Sequence, residues 1–206
     1  MMAQLTFYTN PMSRGQIARW MLEEVGEPYE QVLLDYGTTM KAPEYLAVNP
    51  MGKVPAIKHG DTVVTEAAAI CAYLADAFPG AGLAPDAAAR GDYYRWMFFA
   101  AGPVETAVTA RALGLEAPAD KAMMAGYGSY DATIDALERA VAGKRFVAGD
   151  RFSAADVYVG SQIDWGLMFK SIPTRPAFED YIAPIRERAA YKRAKEIDAA
   201  LMPKQD

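Results

Sequence analysis

Ser13 stands in Asn10-Pro11-Met12-Ser13-Arg14, between a strand-like run, Leu5-Thr6-Phe7-Tyr8, and a helical pattern that begins at Ser13 itself. The start of a helix offers unpaired amides and the positive end of its dipole, so a hydroxyl there can join them in holding an anion. The same hydroxyl can equally serve only to cap the helix. Tyr8 supplies a second hydroxyl shortly before, although its place inside the strand also fits core packing. Arg14 either raises the local positive potential or marks an exposed helix start.

Composition excludes several other chemistries. His59 is the single histidine in 206 residues, which rules out multi-histidine metal sites and disfavours a Ser-His-Asp triad. Beside Gly60-Asp61 it reads as a solvated turn residue. Cys71 is the single cysteine, so an internal disulfide or structural zinc site has no partners. No thiol lies between Tyr8 and Ile17 to carry out dithiol exchange. Neither a metal nor a redox cofactor is expected. A net charge of -5 without a long basic block disfavours nucleic acid. No apolar run approaches the roughly 20 residues that span a bilayer, and the first residues lack the basic-then-apolar order of a signal peptide. The expectation is a cytoplasmic protein that handles a small solute, with no membrane or nucleic-acid partner.

Two grammars run along the chain. Up to Phe78, short apolar runs alternate with helical ones, as in a sheet with crossover helices. The spacing predicts a strand over 5–8, a helix over 13–25 closed by Gly26, and a strand over 29–34. Strands over 54–58 and 62–64 follow around Gly60-Asp61, then a helix over 66–77. Pro79-Gly80-Ala81-Gly82 and Pro85 interrupt the periodicity, and no strand pattern returns. Beyond them Tyr127, Tyr130, Ile134, Leu137 and Val141 form one helical stripe. Ser153-Ala154-Ala155-Asp156 has the signature of a capping box opening an almost wholly apolar helix. Pro103 is expected to kink the helix that contains it. The fold class is therefore α/β plus all-α. The expected ranges are 1–79 for the first domain, 80–89 for a linker and 90–206 for a helical domain.

Asn49-Pro50-Met51-Gly52-Lys53-Val54-Pro55-Ala56-Ile57 resembles the glutathione-binding segment of the cytosolic glutathione S-transferases, and Thr65-Glu66-Ala67-Ala68-Ala69-Ile70 follows at the family's distance. Val147 to Asp156 is similar to the family's capped helix in the second domain. The resemblance implies a thioredoxin-like N-terminal domain, a C-terminal helical bundle, glutathione as co-substrate and a homodimer.

Ser13 matches the residue that, in serine-type members, donates to the glutathione sulfur and holds it as a thiolate; Tyr8 is the rival donor. Lowering a thiol pKa from about 8.5 by two units needs about 2.7 kcal/mol of preferential thiolate stabilisation. A hydrogen bond together with a helix terminus is of that order. The resemblance gives Val54 the backbone contacts to the cysteinyl part, by strand addition, and makes Pro55 cis. Glu66 would meet the glutathione amino group, the amide of Ala67 the γ-glutamyl carboxylate, and Lys53 the glycine carboxylate. Serine is usual where this chain has Ala67, so one hydroxyl donor is missing. A small apolar electrophile is expected where the two domains meet, against Met12, Phe98, Phe99 and Thr106. The same scaffold also serves peroxidase, isomerase, dehalogenase and ether-cleaving reactions, and non-catalytic binding.

Overall fold

The computed structural model describes residues 4–202. Its sheet contains β1 Leu5–Thr9, β2 Glu30–Leu33, β3 Ala56–His59 and β4 Thr62–Thr65. The order is β2-β1-β3-β4. β1 and β2 are parallel, joined through helix α1 Gly15–Val25, whereas β3 runs antiparallel to both β1 and β4. This is the mixed four-stranded sheet of a thioredoxin-like domain, as the family resemblance implied; the alternating grammar had indicated an α/β region.

Period-two alternation separates the faces of β1. Leu5, Phe7 and Thr9 are buried on one side, together with Ile57 of β3; helix α3 Ala67–Ala77 contributes Ile70, Cys71 and Leu74 to the interior. Tyr8, on the other side, packs with Val32 and Val54 against Leu34, Met40, Tyr45 and Ala56. Tyr45 belongs to the short helix α2 Pro43–Leu46, and its ring lies 5.5 Å from that of Tyr8. His59 is not the solvated turn residue its neighbours suggested. It ends β3, half-buried, with Nδ1 3.0 Å from the Tyr73 hydroxyl and its ring 5.2 Å from that of Phe78. A planar ring at a sheet corner has apolar faces to cover, and two aromatic side chains cover them.

The first compact unit runs to Ala81 and resumes at Arg188; the second extends from Gly82 to Glu187. The terminal helix α9 Ala189–Ala200 therefore differs from the 90–206 assignment, because it packs on α1. Arg188 grips both carboxylate oxygens of Glu24 at 2.6 and 2.7 Å, Arg193 reaches Glu23 at 2.6 Å, and Tyr191 meets Trp20 edge to face. Arg19, 1% exposed, donates to Asp198 at 3.1 Å and to Tyr29 at 2.9 Å, and also pairs with Gln31. A buried guanidinium is tolerated where each of its three nitrogens has a hydrogen-bond partner and one of those partners is a carboxylate.

The second unit is all-helical: α4 Gly91–Phe99, α5 Glu105–Leu113, α6 Tyr130–Val141, α7 Ala154–Met168 and α8 Pro176–Arg186. Pro103 lies in a wider π turn, Ala100–Val104, that joins α4 to α5, so the break expected at this proline takes the form of a change in helical pitch. α6 begins at Tyr130, which leaves Tyr127 before the helix, where its hydroxyl accepts the Ala117 amide. The Ser153/Asp156 capping box opens α7, much of which is buried. Asp156 is fully buried and accepts from the amides of Val147 and Ser153 and from the hydroxyls of Ser153 and Tyr181. The last turn of α7 emerges from the core, with Met168 and Phe169 exposed. Among the described residues, no helix is long and apolar enough to cross a membrane.

Candidate functional site

Sheet register brings the separate sequence motifs to one end of the first unit. Tyr8 pairs with Val32 on one side and Ala56 on the other, and Ala56 pairs with Thr65. β1 leaves this row toward Ser13, β3 enters it from Pro55, and β4 leaves it toward Glu66. Strands lie about 4.8 Å apart, so the departures from β1 and β4 are separated by about 10 Å, with Pro55 between them. The first turns of α1 and α3 begin at the same end.

The loop between β1 and α1 is braced by side chains. The Asn10 amide donates to the Leu34 carbonyl at 2.8 Å, and its oxygen accepts the Met12 amide at 2.9 Å. Three successive carbonyls are capped: that of Asn10 by the Ser13 hydroxyl at 2.6 Å, that of Pro11 by the Gln16 amide at 2.7 Å, and that of Met12 by the Tyr36 hydroxyl at 3.2 Å. Ser13 is buried and its oxygen also accepts the Gly15 amide at 2.9 Å. The cap position of α1 is Arg14, so Ser13 lies just outside the helix and satisfies its first amide. A Cβ at Gly15 would come within 2.0 Å of the buried Thr9 hydroxyl and 2.9 Å of the Ser13 oxygen, so glycine alone permits this close approach.

The segment that precedes β3 is fixed from below. The Lys53 carbonyl accepts from the Tyr45 hydroxyl at 2.5 Å and the Asn49 amide at 2.8 Å, while Lys41 bonds the carbonyls of Met51 and Gly52. Gly52 has φ +57°, and a Cβ there would meet the Met40 carbonyl at 2.6 Å. The Val54–Pro55 peptide is cis. Burial pushes the Tyr45 phenol up to about 12, partly offset by its hydrogen bonding with Asn49. Lys53 is exposed and Val54 half-buried.

Glu66 caps α3 in an unusual backbone conformation, φ +67° and ψ +118°, with its residue exposed; Ala67 follows as the first helical residue and is buried. A non-glycine residue at positive φ is uncommon and points to a functional constraint. Cys71 is buried within α3, and burial raises its thiol far above the ordinary cysteine range, which makes it a core residue rather than a reactive one.

The residues expected to face an electrophile are less uniform. Met12 is exposed, and so are Phe98 and Thr106, whereas Phe99 is half-buried with its ring edge-on to Trp96. Phe98 stacks on Tyr94 one turn earlier. Phe98 and, at the end of α7, Phe169 are both more than half exposed, although large aromatic side chains are most often buried. Asn10, Gly15, Gln16, Tyr36, Lys41 and Tyr45 were not singled out from sequence. Only Gly52, through its fixed place beside the proline motif, and Asn10-Pro11, as turn formers, carried a local signal.

Comparisons with known proteins agree on both units. Residues 3–76 match the family model described as glutathione S-transferase, N-terminal domain, and residues 87–165 match glutathione S-transferase, C-terminal domain. Glutathione S-transferase GST-4.5 of Xanthomonas campestris is 35% identical over 97 residues, covering 46% of this chain and 47% of that protein. The chain thus spans about half or less of the length of the first curated relatives it matches. Solved structures match over more of their length. A glutathione-S-transferase from Xylella fastidiosa superposes with TM-score 0.77 at 26% identity, covering 95% of this chain and 99% of that one. A glutathione transferase homologue from sulfitobacter, solved with bound glutathione, gives TM-score 0.76 at 28% identity, covering 98% and 100%.

Proposed function

The chain belongs to the glutathione S-transferase family, with both characteristic domains matched, and from that premise we propose that it activates the glutathione thiol through Ser13 for attack on a small apolar electrophile. The observation that carries this reading is the ladder Tyr8–Ala56–Thr65, which gathers the Ser13 loop, cis Pro55 and Glu66 at one end of the sheet. Two strand spacings of about 10 Å separate the outer members, and an extended tripeptide spans about the same length.

In the proposed complex, the Val54 backbone pairs with the cysteinyl part as an added strand. Glu66 takes the amino group, the Ala67 amide the γ-glutamyl carboxylate, and Lys53 the glycine carboxylate. The sulfur then lies toward the first turn of α1. Ser13 has a single proton, held by the Asn10 carbonyl. Rotation of the hydroxyl would transfer that hydrogen bond to the thiolate while its oxygen continues to accept from Gly15. The helix dipole adds to the preference for the anion. No side chain need act as a nucleophile, because the sulfur is the attacking atom. Tyr8 is the weaker candidate, since its ring packs against Tyr45.

Exposed Met12 offers an apolar surface beside Ser13, and we assign Phe98, Phe99 and Thr106 to the electrophile on the strength of the family resemblance alone. Homodimer formation and a cytoplasmic location are part of the same proposal. The test is a titration with glutathione that follows both heat and thiolate absorbance at pH 7, followed by a turnover panel of aryl halides, hydroperoxides and isomerisable substrates. Saturable binding with a thiolate signal and turnover of aryl halides is expected. Binding without either would make this a glutathione-fold binding protein, and turnover confined to another class would reassign the reaction.

A further inference from the structure

We propose that Gln16 is a positioning residue for the Ser13 loop, held in one orientation by Lys195 of the terminal helix, so that α9 takes part in setting thiol activation. The inference rests on the Ser13 reading above. The Gln16 side chain lies between two groups: its Nε2 donates to the Pro11 carbonyl at 2.7 Å, and its Oε1 accepts from Lys195 Nζ at 3.1 Å. An amide has one accepting and one donating end. An ammonium can only donate, so Lys195 claims the oxygen and leaves the nitrogen aimed at Pro11. Reversal of the amide would set Nε2 against the ammonium and an oxygen against a carbonyl.

The Pro11 carbonyl needs this donor. It lies between the Asn10 and Met12 carbonyls, which are capped by Ser13 and Tyr36. Of the three caps, the Ser13 hydroxyl is the one that must leave if it turns to a thiolate. During that rotation Gln16 and Tyr36 still cap their carbonyls and the Asn10 amide still holds Leu34, while Gln16, through Lys195, connects the loop to α9. The Lys195 ammonium also lies 5.4 Å from the Tyr191 ring, and Tyr191 packs edge to face on Trp20 of α1, so its position is fixed from two sides.

The experiment compares Gln16→Met, Lys195→Met and Ser13→Ala in the full chain. It measures the pH dependence of bound-thiolate absorbance, kcat and KM for glutathione, and hydrogen exchange across residues 10–16. Gln16→Met keeps length and neutrality while removing both hydrogen bonds. It should raise the bound-thiol pKa by about half a unit, which lowers turnover at pH 6.5 about twofold through the smaller thiolate fraction. The loss should vanish above pH 9, glutathione KM should stay within about twofold, and loop amides should exchange faster. Lys195→Met should shift the profile in the same direction by less, and it supplies the test should Gln16→Met fold poorly. A wild-type pH profile in folded Gln16→Met and Lys195→Met, with a shifted profile in Ser13→Ala, overturns the positioning role. A wild-type profile in Ser13→Ala instead removes the Ser13 reading and the role of Gln16 with it; the unaffected variant tells the two failures apart.

Discussion

The Ser13 hydroxyl donates to the Asn10 carbonyl at 2.6 Å, across three residues of the loop that joins β1 to α1. Its single proton is therefore committed until a stronger acceptor arrives, and a thiolate is such an acceptor because charge-assisted hydrogen bonds are about twice as strong as neutral ones. Ser13→Ala is expected to raise the bound-thiol pKa toward the free value and to lower neutral-pH turnover more than glutathione affinity. Lost satisfaction of the Gly15 amide should also cost about 1 kcal/mol of stability, so the folded fraction is measured in parallel. Tyr8→Phe keeps the ring against Tyr45 and should leave the pKa unchanged. The opposite pattern in folded proteins would assign the thiol to Tyr8.

Glu66 sits at the far side of the proposed tripeptide from Ser13. Glu66→Gln should weaken glutathione binding about fivefold, on the scale of 1 kcal/mol for an exposed ion pair, while the bound-thiol pKa stays in place. Calorimetry and thiolate absorbance read the two effects separately. An unaltered dissociation constant would remove Glu66 from the site.

Gly52 turns the chain at φ +57° just before Lys53, with the Met40 carbonyl where a Cβ would be. Gly52→Ala should cost at least about 2 kcal/mol, combining left-handed strain with that contact. A denaturant titration with unchanged slope would show it as a lowered midpoint. A midpoint at the wild-type value would mean that the loop relaxes without effort.

Tyr45 gives an alkaline signature. Its phenol is raised by burial to about 12, while an unfolded tyrosine titrates near 10. The protonated phenol is thus favoured in the folded state. Its contribution is fully present below about pH 10 and is lost as pH rises from there through about 12. Tyr45→Phe should flatten this part of the stability profile and loosen the segment before Pro55, because the bond to the Lys53 carbonyl goes with the hydroxyl. Equilibrium unfolding at pH 9, 10, 11 and 12 in both proteins checks the slope; equal slopes would mean that other groups dominate the alkaline transition.

Local physics made much of the molecule readable from its sequence. Alternation identified the strands, because a half-buried pleat imposes period two, and helical spacing identified α1, α3, α6 and α7. Gly26 closed α1 in a left-handed conformation, as its position implied. The Ser153/Asp156 box depends on neighbours three residues apart and was equally visible. Ser13, Glu66 and Pro55 could be picked out as candidates because each belongs to a short motif that is recognised without reference to distant residues. Tertiary structure decided the rest. Hydrophobic spacing says that a helix face is buried but not against what, so α9 looked like one more helix of the second domain. Its place on α1 depends on Arg19 meeting Asp198 across 179 residues of sequence. The same holds for the register that sets Ala56 opposite both Tyr8 and Thr65, for the exposure of Phe98 and Phe169, and for the bond by which Lys195 reaches Gln16. Each of these follows from pairings between segments far apart in the chain, and a local pattern holds no record of its partner.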